Sequence, residues 1–176
     1  GKPMIAYSIL AAKQARVFDR IVINSDSHIF KSIASRYDVE FYERPEHLGS
    51  STTKSDEVVL DFIQNNKSEV IVWVNSISPL QTGEEIRRVV EFFKKETLDS
   101  LITVRDEQVH CIYQGKPVNF EKTAKFSQTQ ELEPVQPFVY SVMMWRTESF
   151  LDNMKSQGHA LLSGKVGYYP VNKLSS

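Results

Sequence analysis

The sequence predicts an α/β fold of three layers, α/β/α and Rossmann-like, with a mostly parallel sheet between two layers of helices. Three observations point there. Short apolar runs alternate with stretches of helical periodicity over roughly the first 105 residues, the order of a sheet whose crossovers are helices. The run Val70-Ile71-Val72-Trp73-Val74 is the most hydrophobic short stretch and suits a buried parallel strand. Polar residues able to cap a helix or close a turn follow these runs.

The elements follow in order. Met4, Ile5, Ile9 and Leu10 recur near helical spacing behind Pro3, whose missing N–H would be unpaired in a first turn anyway, so a helix is expected from Pro3 to Gln14. Arg20 to Asn24 reads as a short strand. The side-chain oxygens of Ser25, Asp26 and Ser27 can cap the next helix, which carries Ile29, Ile33 and Ala34. Val39 to Glu43 is a second strand, ended by Arg44-Pro45 because proline restricts its predecessor and donates no hydrogen bond. A polar loop from Glu46 to Lys54 leads into a helix from Ser55 to Gln64. Beyond Val74, Asn75 to Leu80 forms a polar turn, and Thr82 with Glu85 has capping-box spacing ahead of Ile86, Val89, Val90 and Phe93. Ser100 to Val104 is the next strand.

After Arg105 the alternation stops. Cys111 to Tyr113 and Val118 to Phe120 flank the turn Gln114-Gly115-Lys116-Pro117 as a hairpin would. Glu121 to Glu133 is polar and reads as a loop or a subunit contact. Pro137 to Trp145 is a strand, Glu148 to Met154 a short helix, and Val166 to Pro170 a last strand. Phe138, Val139, Val142, Met143 and Met144 offer more apolar area than one strand face needs, which points to a partner chain.

At 176 residues, one domain, 1–176, accounts for the length. With 41% hydrophobic and 24% charged residues, the composition is that of a globular protein. The 21 basic and 22 acidic residues nearly cancel, which argues against a broad nucleic-acid or membrane surface and leaves any anionic ligand to a local site. Cys111 is the only cysteine, so an internal disulfide and a zinc cluster built on thiolates are excluded. No apolar run approaches the ~20 residues that span a bilayer. The expected compartment is the cytoplasm.

In an open α/β sheet, ligands bind outside the C-terminal strand ends. Three loops fit that position: Asn24 to Ser27, Arg44 to Ser55, and Asn75 to Thr82. The guanidinium of Arg44, on a turn fixed by Pro45, suits a phosphate, a carboxylate or the polar edge of a base; the alternative is a surface pair with Glu43 or Glu46. The Ser55 hydroxyl is a helix cap or a ligand contact. Asn75, Ser76 and Ser78 suit a polyhydroxylated ligand, or else a turn and cap closed by Pro79. Asp26 is a cap or a metal ligand. His28, His47, His110 and His159 have no metal-ligand spacing, and no Ser/His/Asp order or phosphate-cradling glycine motif is present.

These pieces, in this order, resemble the acylneuraminate cytidylyltransferases. The resemblance rests on Gly1-Lys2-Pro3-Met4-Ile5-Ala6-Tyr7-Ser8-Ile9, Phe18 to Asp26, Glu43-Arg44-Pro45, the serine-rich loop to Ser55, and Ser78-Pro79-Leu80-Gln81-Thr82. It covers residues 1 to 105 well and is weaker from Asp106. Two departures stand out. The family usually has Gln-Pro-Thr-Ser-Pro where this chain has Asn75-Ser76-Ile77-Ser78-Pro79, and an arginine with an Asn-Gly pair where this chain has Pro137, Val139 and Tyr140. Octulosonate cytidylyltransferases usually carry an acidic Gly-Asp-Glu-Pro turn, whose acids are missing from Asn75 to Pro79.

The resemblance implies transfer of CMP from CTP to an acidic nonulosonic sugar, with Mg²⁺ as cofactor and pyrophosphate as leaving group. It places Arg44, Ser55, Asn75 and Ser76 at the nucleotide, and Asn75, Ser78 and Gln81 at the sugar. It further implies a homodimer formed through a small extension at roughly residues 106–145. Family members begin with a strand and a basic, glycine-containing loop ahead of the position of Gly1, and carry metal-binding aspartates after a segment like Tyr169 to Ser175. The natural protein is therefore expected to extend beyond both ends, and these residues alone to be incomplete for catalysis. The rival readings are a cytidylyltransferase for another acidic sugar and a non-catalytic sugar-nucleotide-binding homologue.

Overall fold

The computed structural model describes residues 1–176 apart from residues 124, 126, 127 and 176 and the side chain of residue 175. Its elements are α1 (Met4–Ala15), β1 (Val22–Ser25), α2 (Ile29–Tyr37), β2 (Glu40–Glu43), α3 (Ser55–Asn65), β3 (Val70–Val74), α4 (Gly83–Lys95), β4 (Ser100–Val104), β5 (Ile112–Tyr113), β6 (Lys116–Pro117), β7 (Phe138–Arg146), α5 (Thr147–Gln157) and β8 (Val166–Pro170). Single 3-10 turns occupy Glu46–Gly49, Thr129–Glu131 and Lys173–Ser175.

The three expected layers form because the strands alternate their apolar side chains across two faces. Leu101, Val142 and Met144 turn to one side, where they meet Ala11 and Ala15 of α1 and Ile86, Val89 and Phe93 of α4. Ile102, Val104, Met143 and Trp145 turn to the other and meet Val59 and Ile63 of α3 and Phe150 of α5. A smaller cluster of Ile9, Ile23 and Ala34 ties α1, β1 and α2 together.

The strands divide into a parallel pair, β1 with β2, and a four-stranded sheet in the order β3-β7-β4-β8. In the larger sheet β3, β4 and β8 run one way, and β7 lies antiparallel between β3 and β4. The expected parallel neighbour of β3 is thus replaced on that side by β7. β3 itself is half-buried along its whole length instead of fully buried, because its other edge faces a cavity. The apolar surplus of Val142, Met143 and Met144 is likewise explained within the chain. β7 is a central strand whose residues 141–145 are buried between the two clusters, while Phe138 and Tyr140 at its start are exposed.

Helix starts also correct the expectations. α2 begins after His28 with no side-chain cap; Ser25 Oγ instead accepts the Ser27 N–H at 3.2 Å, and Asp26 pairs with Arg44. α4 keeps half its capping box: Thr82 Oγ1 accepts the Glu85 N–H at 3.2 Å, but the Glu85 carboxylate accepts the Asn172 N–H at 2.8 Å. The hairpin closes earlier than expected, through Gln114 and Gly115 at φ 49° and 76°. Two left-handed residues make a tight two-residue turn, which puts Lys116 and Pro117 in β6. The expected loop from Glu121 to Glu133 includes residues outside those described; its described end carries the turn Thr129–Glu131.

Candidate functional site

β1 and β2 end side by side, with the Arg44 N–H donating to the Ser25 carbonyl at 2.9 Å. That contact carries the Arg44 side chain inward until it is 16% exposed, and Nη2 donates to Asp26 Oδ1 at 3.1 Å. The expected partners Glu43 and Glu46 do not take this role; Glu43 instead meets His28 Nε2 at 3.1 Å. Gly49 packs so closely on Asp26 that a Cβ there would lie 2.1 Å from Oδ2, which pins the carboxylate against the arginine. Arg44 Nε and Asn24 Oδ1 are both buried without a hydrogen-bond partner. A buried donor and acceptor left open in this way lose water without compensation, and such groups occur where a ligand completes them.

On the far side stands the turn after β3. The Asn75 N–H donates to the Ser141 carbonyl at 2.9 Å, and Asn75 Oδ1 accepts the Ile77 N–H at 3.3 Å, which folds the turn on its own side chain. Ser8 Oγ of α1 reaches the Asn75 carbonyl at 3.4 Å. Arg44, Asn24, Asn75 and Ser76, at the C-terminal ends of β1, β2 and β3, line one end of a cavity of about 660 Å³ that runs along β1 and β3. This is where an open α/β sheet places a ligand.

The other expected site residues lie apart from that lining. Ser55 is exposed at the first position of α3, and the cap position belongs to Lys54, with no side-chain capping bond from either. Ser78 is buried within its turn, its N–H 3.5 Å from the Asn75 carbonyl. Gln81 is buried too and donates from Nε2 to Ser141 Oγ at 3.2 Å.

Ser141 belongs to a bulge. Between the partners Ile102↔Met143 and Val104↔Phe138, β4 has only Thr103 where β7 has residues 139–142. Thr103 Oγ1 bonds both the N–H and the carbonyl of Val142 at 3.0 Å and lies 3.0 Å from Ser141 Oγ. Tyr140 in the bulge sits at φ 54°, a strained conformation for a bulky residue. Gln81 and Thr103 thus hold Ser141, and the Ser141 carbonyl holds Asn75.

Asn24 was legible only as part of a candidate loop; its burial depends on the partner strands. The bulge left no mark in the sequence, since neither Tyr140 nor Ser141 favours a left-handed turn as glycine does. Among the described residues no group of three or more His, Cys, Asp or Glu is gathered as for a metal, and Asp26 is engaged with Arg44. No helix among the described residues is long and apolar enough to cross a membrane.

The chain is 28% identical over 163 residues to the post-translational flagellin modification protein B of Campylobacter coli, a match spanning 85% of this chain and 69% of that protein. It is 36% identical over 94 residues to the N-acylneuraminate cytidylyltransferase of Escherichia coli O18:K1:H7, covering 53% of this chain and 22% of that enzyme. Among solved structures, a CMP:2-keto-3-deoxy-manno-octonic acid synthetase complexed with CTP superimposes with a TM-score of 0.70 at 8% identity, over 97% of this chain and 80% of the other, which establishes the shared fold. The cytidylyltransferase family model matches residues 1–169, and the chain belongs to that family of nucleotidyltransferase enzymes.

Proposed function

We propose that this chain forms the substrate-recognising part of an enzyme that transfers CMP from CTP to an acidic nonulosonic sugar and releases pyrophosphate. The observation that carries the reading is the open donor of Arg44 Nε beside the open acceptor of Asn24 Oδ1, buried at the strand ends. Cytosine presents an amino donor and ring acceptors on one edge, so this pair has the complementary polarity for the base. Asn75 uses its Oδ1 within the turn, which leaves its Nδ2 donor, with the Ser76 hydroxyl, for the ribose or the acceptor sugar.

The names of the relatives support an acidic nine-carbon acceptor. The sugar hydroxyl attacks the α-phosphorus of CTP and pyrophosphate departs, so the protein acts mainly by positioning the two substrates. Mg²⁺ accompanies the triphosphate in this reading, with its protein ligands outside the described residues. A homodimer and a cytoplasmic location belong to the same reading, and light scattering at micromolar concentration tests the dimer.

The function is tested by mixing the whole protein with CTP, Mg²⁺ and a panel of nonulosonic acids and following pyrophosphate. Turnover with at least one such acid is expected. Arg44→Ala should weaken CTP binding by ~1.5–3 kcal/mol, the range for a lost charge-assisted bond. Unchanged CTP affinity would remove Arg44 from the site, and CTP binding without turnover on any acid would favour a non-catalytic homologue.

A further inference from the structure

Three aromatic side chains stand together on the surface at the C-terminal end of β4. Phe138 pairs with Val104 on one side of β4, and Tyr168 pairs with Ile102 on the other. Their rings stack with centroids 5.8 Å apart and planes 23° apart, and Tyr140 meets Phe138 edge-on at 5.9 Å. Phe138, Tyr140 and Tyr168 are 38%, 47% and 45% exposed. Burial of such rings is favourable, so a contiguous group of three left open is a surface that meets a ligand or a partner.

The backbone beneath Tyr140 is held against its preference. A bulky residue at φ 54° is strained, and glycine would hold the same turn without that strain. Its surroundings nevertheless fix it: Ser141, next in the chain, is wholly buried, accepts from Gln81 Nε2 and bonds Thr103 Oγ1. Gln81 is buried as well, and its Oε1 has no hydrogen-bond partner. A polar network that leaves one acceptor open and keeps a tyrosine in a glycine-like conformation is not arranged for stability alone. Strain maintained in this way accompanies function.

The same network ties the rings to the candidate site. The Ser141 carbonyl accepts the Asn75 N–H at 2.9 Å, so Tyr140 is one residue from the partner of Asn75. β3 and β4 both run antiparallel to β7, which puts the Asn75 turn and the rings at one edge of the sheet. Asn75 stands between Arg44, across the cavity, and the rings on β7 and β8. In the reaction proposed above the base takes Arg44 and Asn24, so the rings fall to the acceptor. Resting on that reading, we infer that Phe138, Tyr140 and Tyr168 form a platform on which the C–H face of the acceptor's pyranose ring stacks. The C–H face of a sugar is slightly positive and meets the negative face of an aromatic ring, while its hydroxyl rim meets the phenol hydroxyls. Such a platform recognises the shape of the sugar ring and not its carboxylate.

Saturation-transfer NMR on the whole protein tests this, with N-acetylneuraminic acid and CTP as separate probes. Ring C–H protons of the sugar should receive the most saturation. Tyr140→Gly should weaken sugar binding by roughly five- to tenfold, the scale of a lost aromatic contact, and leave CTP affinity unchanged. It should not lower the thermal midpoint, because glycine relieves the left-handed strain. Tyr140→Phe, which keeps the ring, should bind the sugar as the unaltered protein does. Unchanged sugar affinity in Tyr140→Gly would overturn the platform, and a shift from dimer to monomer in light scattering would then make the rings a subunit contact. Lost affinity in Tyr140→Phe would credit the hydroxyl and not the ring face, and a lowered midpoint with both ligands weakened would leave Tyr140 a structural role only. CTP binding without sugar binding by the unaltered protein would strike the platform alone, whereas failure to bind CTP would strike the proposed function itself.

Discussion

Single side chains hold the candidate site, and their costs can be separated. Thr103 Oγ1 is the partner of the buried Val142 N–H, so Thr103→Val keeps the volume and strands that donor. The expected loss is ~1–3 kcal/mol in urea denaturation with an unchanged slope, and a value near zero would show that the bulge relaxes at no cost. Tyr42 behaves differently, because its hydroxyl donates to Asp61 Oδ2 at 2.9 Å. Burial, and then the bond and charge of Asp61, push its ionisation from 10.0 up to about 12. The folded state therefore holds the tyrosine proton more tightly than the unfolded one. This contribution is complete below pH 10 and is lost as the pH rises through about 12. Tyr42→Phe should remove that part of the alkaline decline, and an identical alkaline profile in the variant would assign the decline to other groups.

Elements show where sequence reasoning reached and where it stopped. α4 was legible at both levels, since Thr82 sits at cap spacing and Ile86, Val89, Val90 and Phe93 repeat at helical period; all four are buried. The β3 run was equally legible as a strand. Its antiparallel partner was not, because an apolar run reports burial and carries no information on the direction of its neighbour. The same limit hid the role of Gln81, a polar residue in a polar turn whose burial follows from the bulge beside it. Arg44 and Asn75 were found because each follows a strand, where the fold class itself places ligands. Ser55 satisfied the sequence pattern equally well but stands exposed at the start of α3.

Helix contact gives the element-scale prediction. At Gly83, α4 meets α1 so closely that a Cβ would lie 2.6 Å from Gln14 Cβ and 2.7 Å from the Ala11 carbonyl oxygen. Replacing glycine by alanine favours an interior helix position by about 1 kcal/mol, and less in the first turn. Overpacking against backbone costs typically ~1–3 kcal/mol. The clash should win, so Gly83→Ala is expected to lower the thermal midpoint; a raised midpoint would show that α1 yields easily.

At the scale of the whole molecule, the two sheets are held with unequal strength. β7 and β4 lie in the middle of four strands, covered on both faces by the two larger clusters, and Val104, Val142, Met144 and Trp145 are almost wholly buried. β1 and β2 make a pair of their own, backed by a cluster whose fully buried members are only Ile9, Ile23 and Ala34. The links between the units include the contact of α1 with α4 and the Arg20–Asn66 hydrogen bond. Opening free energy scales with the apolar area a unit buries, so the β1–α2–β2 unit should open well below the global free energy. Native-state hydrogen exchange in low denaturant should show the β2-bonded amides Ile23 and Ser25 merging into one low-energy opening, while Met143 and Met144 exchange only by global unfolding. If Ile23 and Met144 instead exchange with the same free energy and the same denaturant slope, the two sheets unfold as one, and the cavity between them does not divide the molecule energetically.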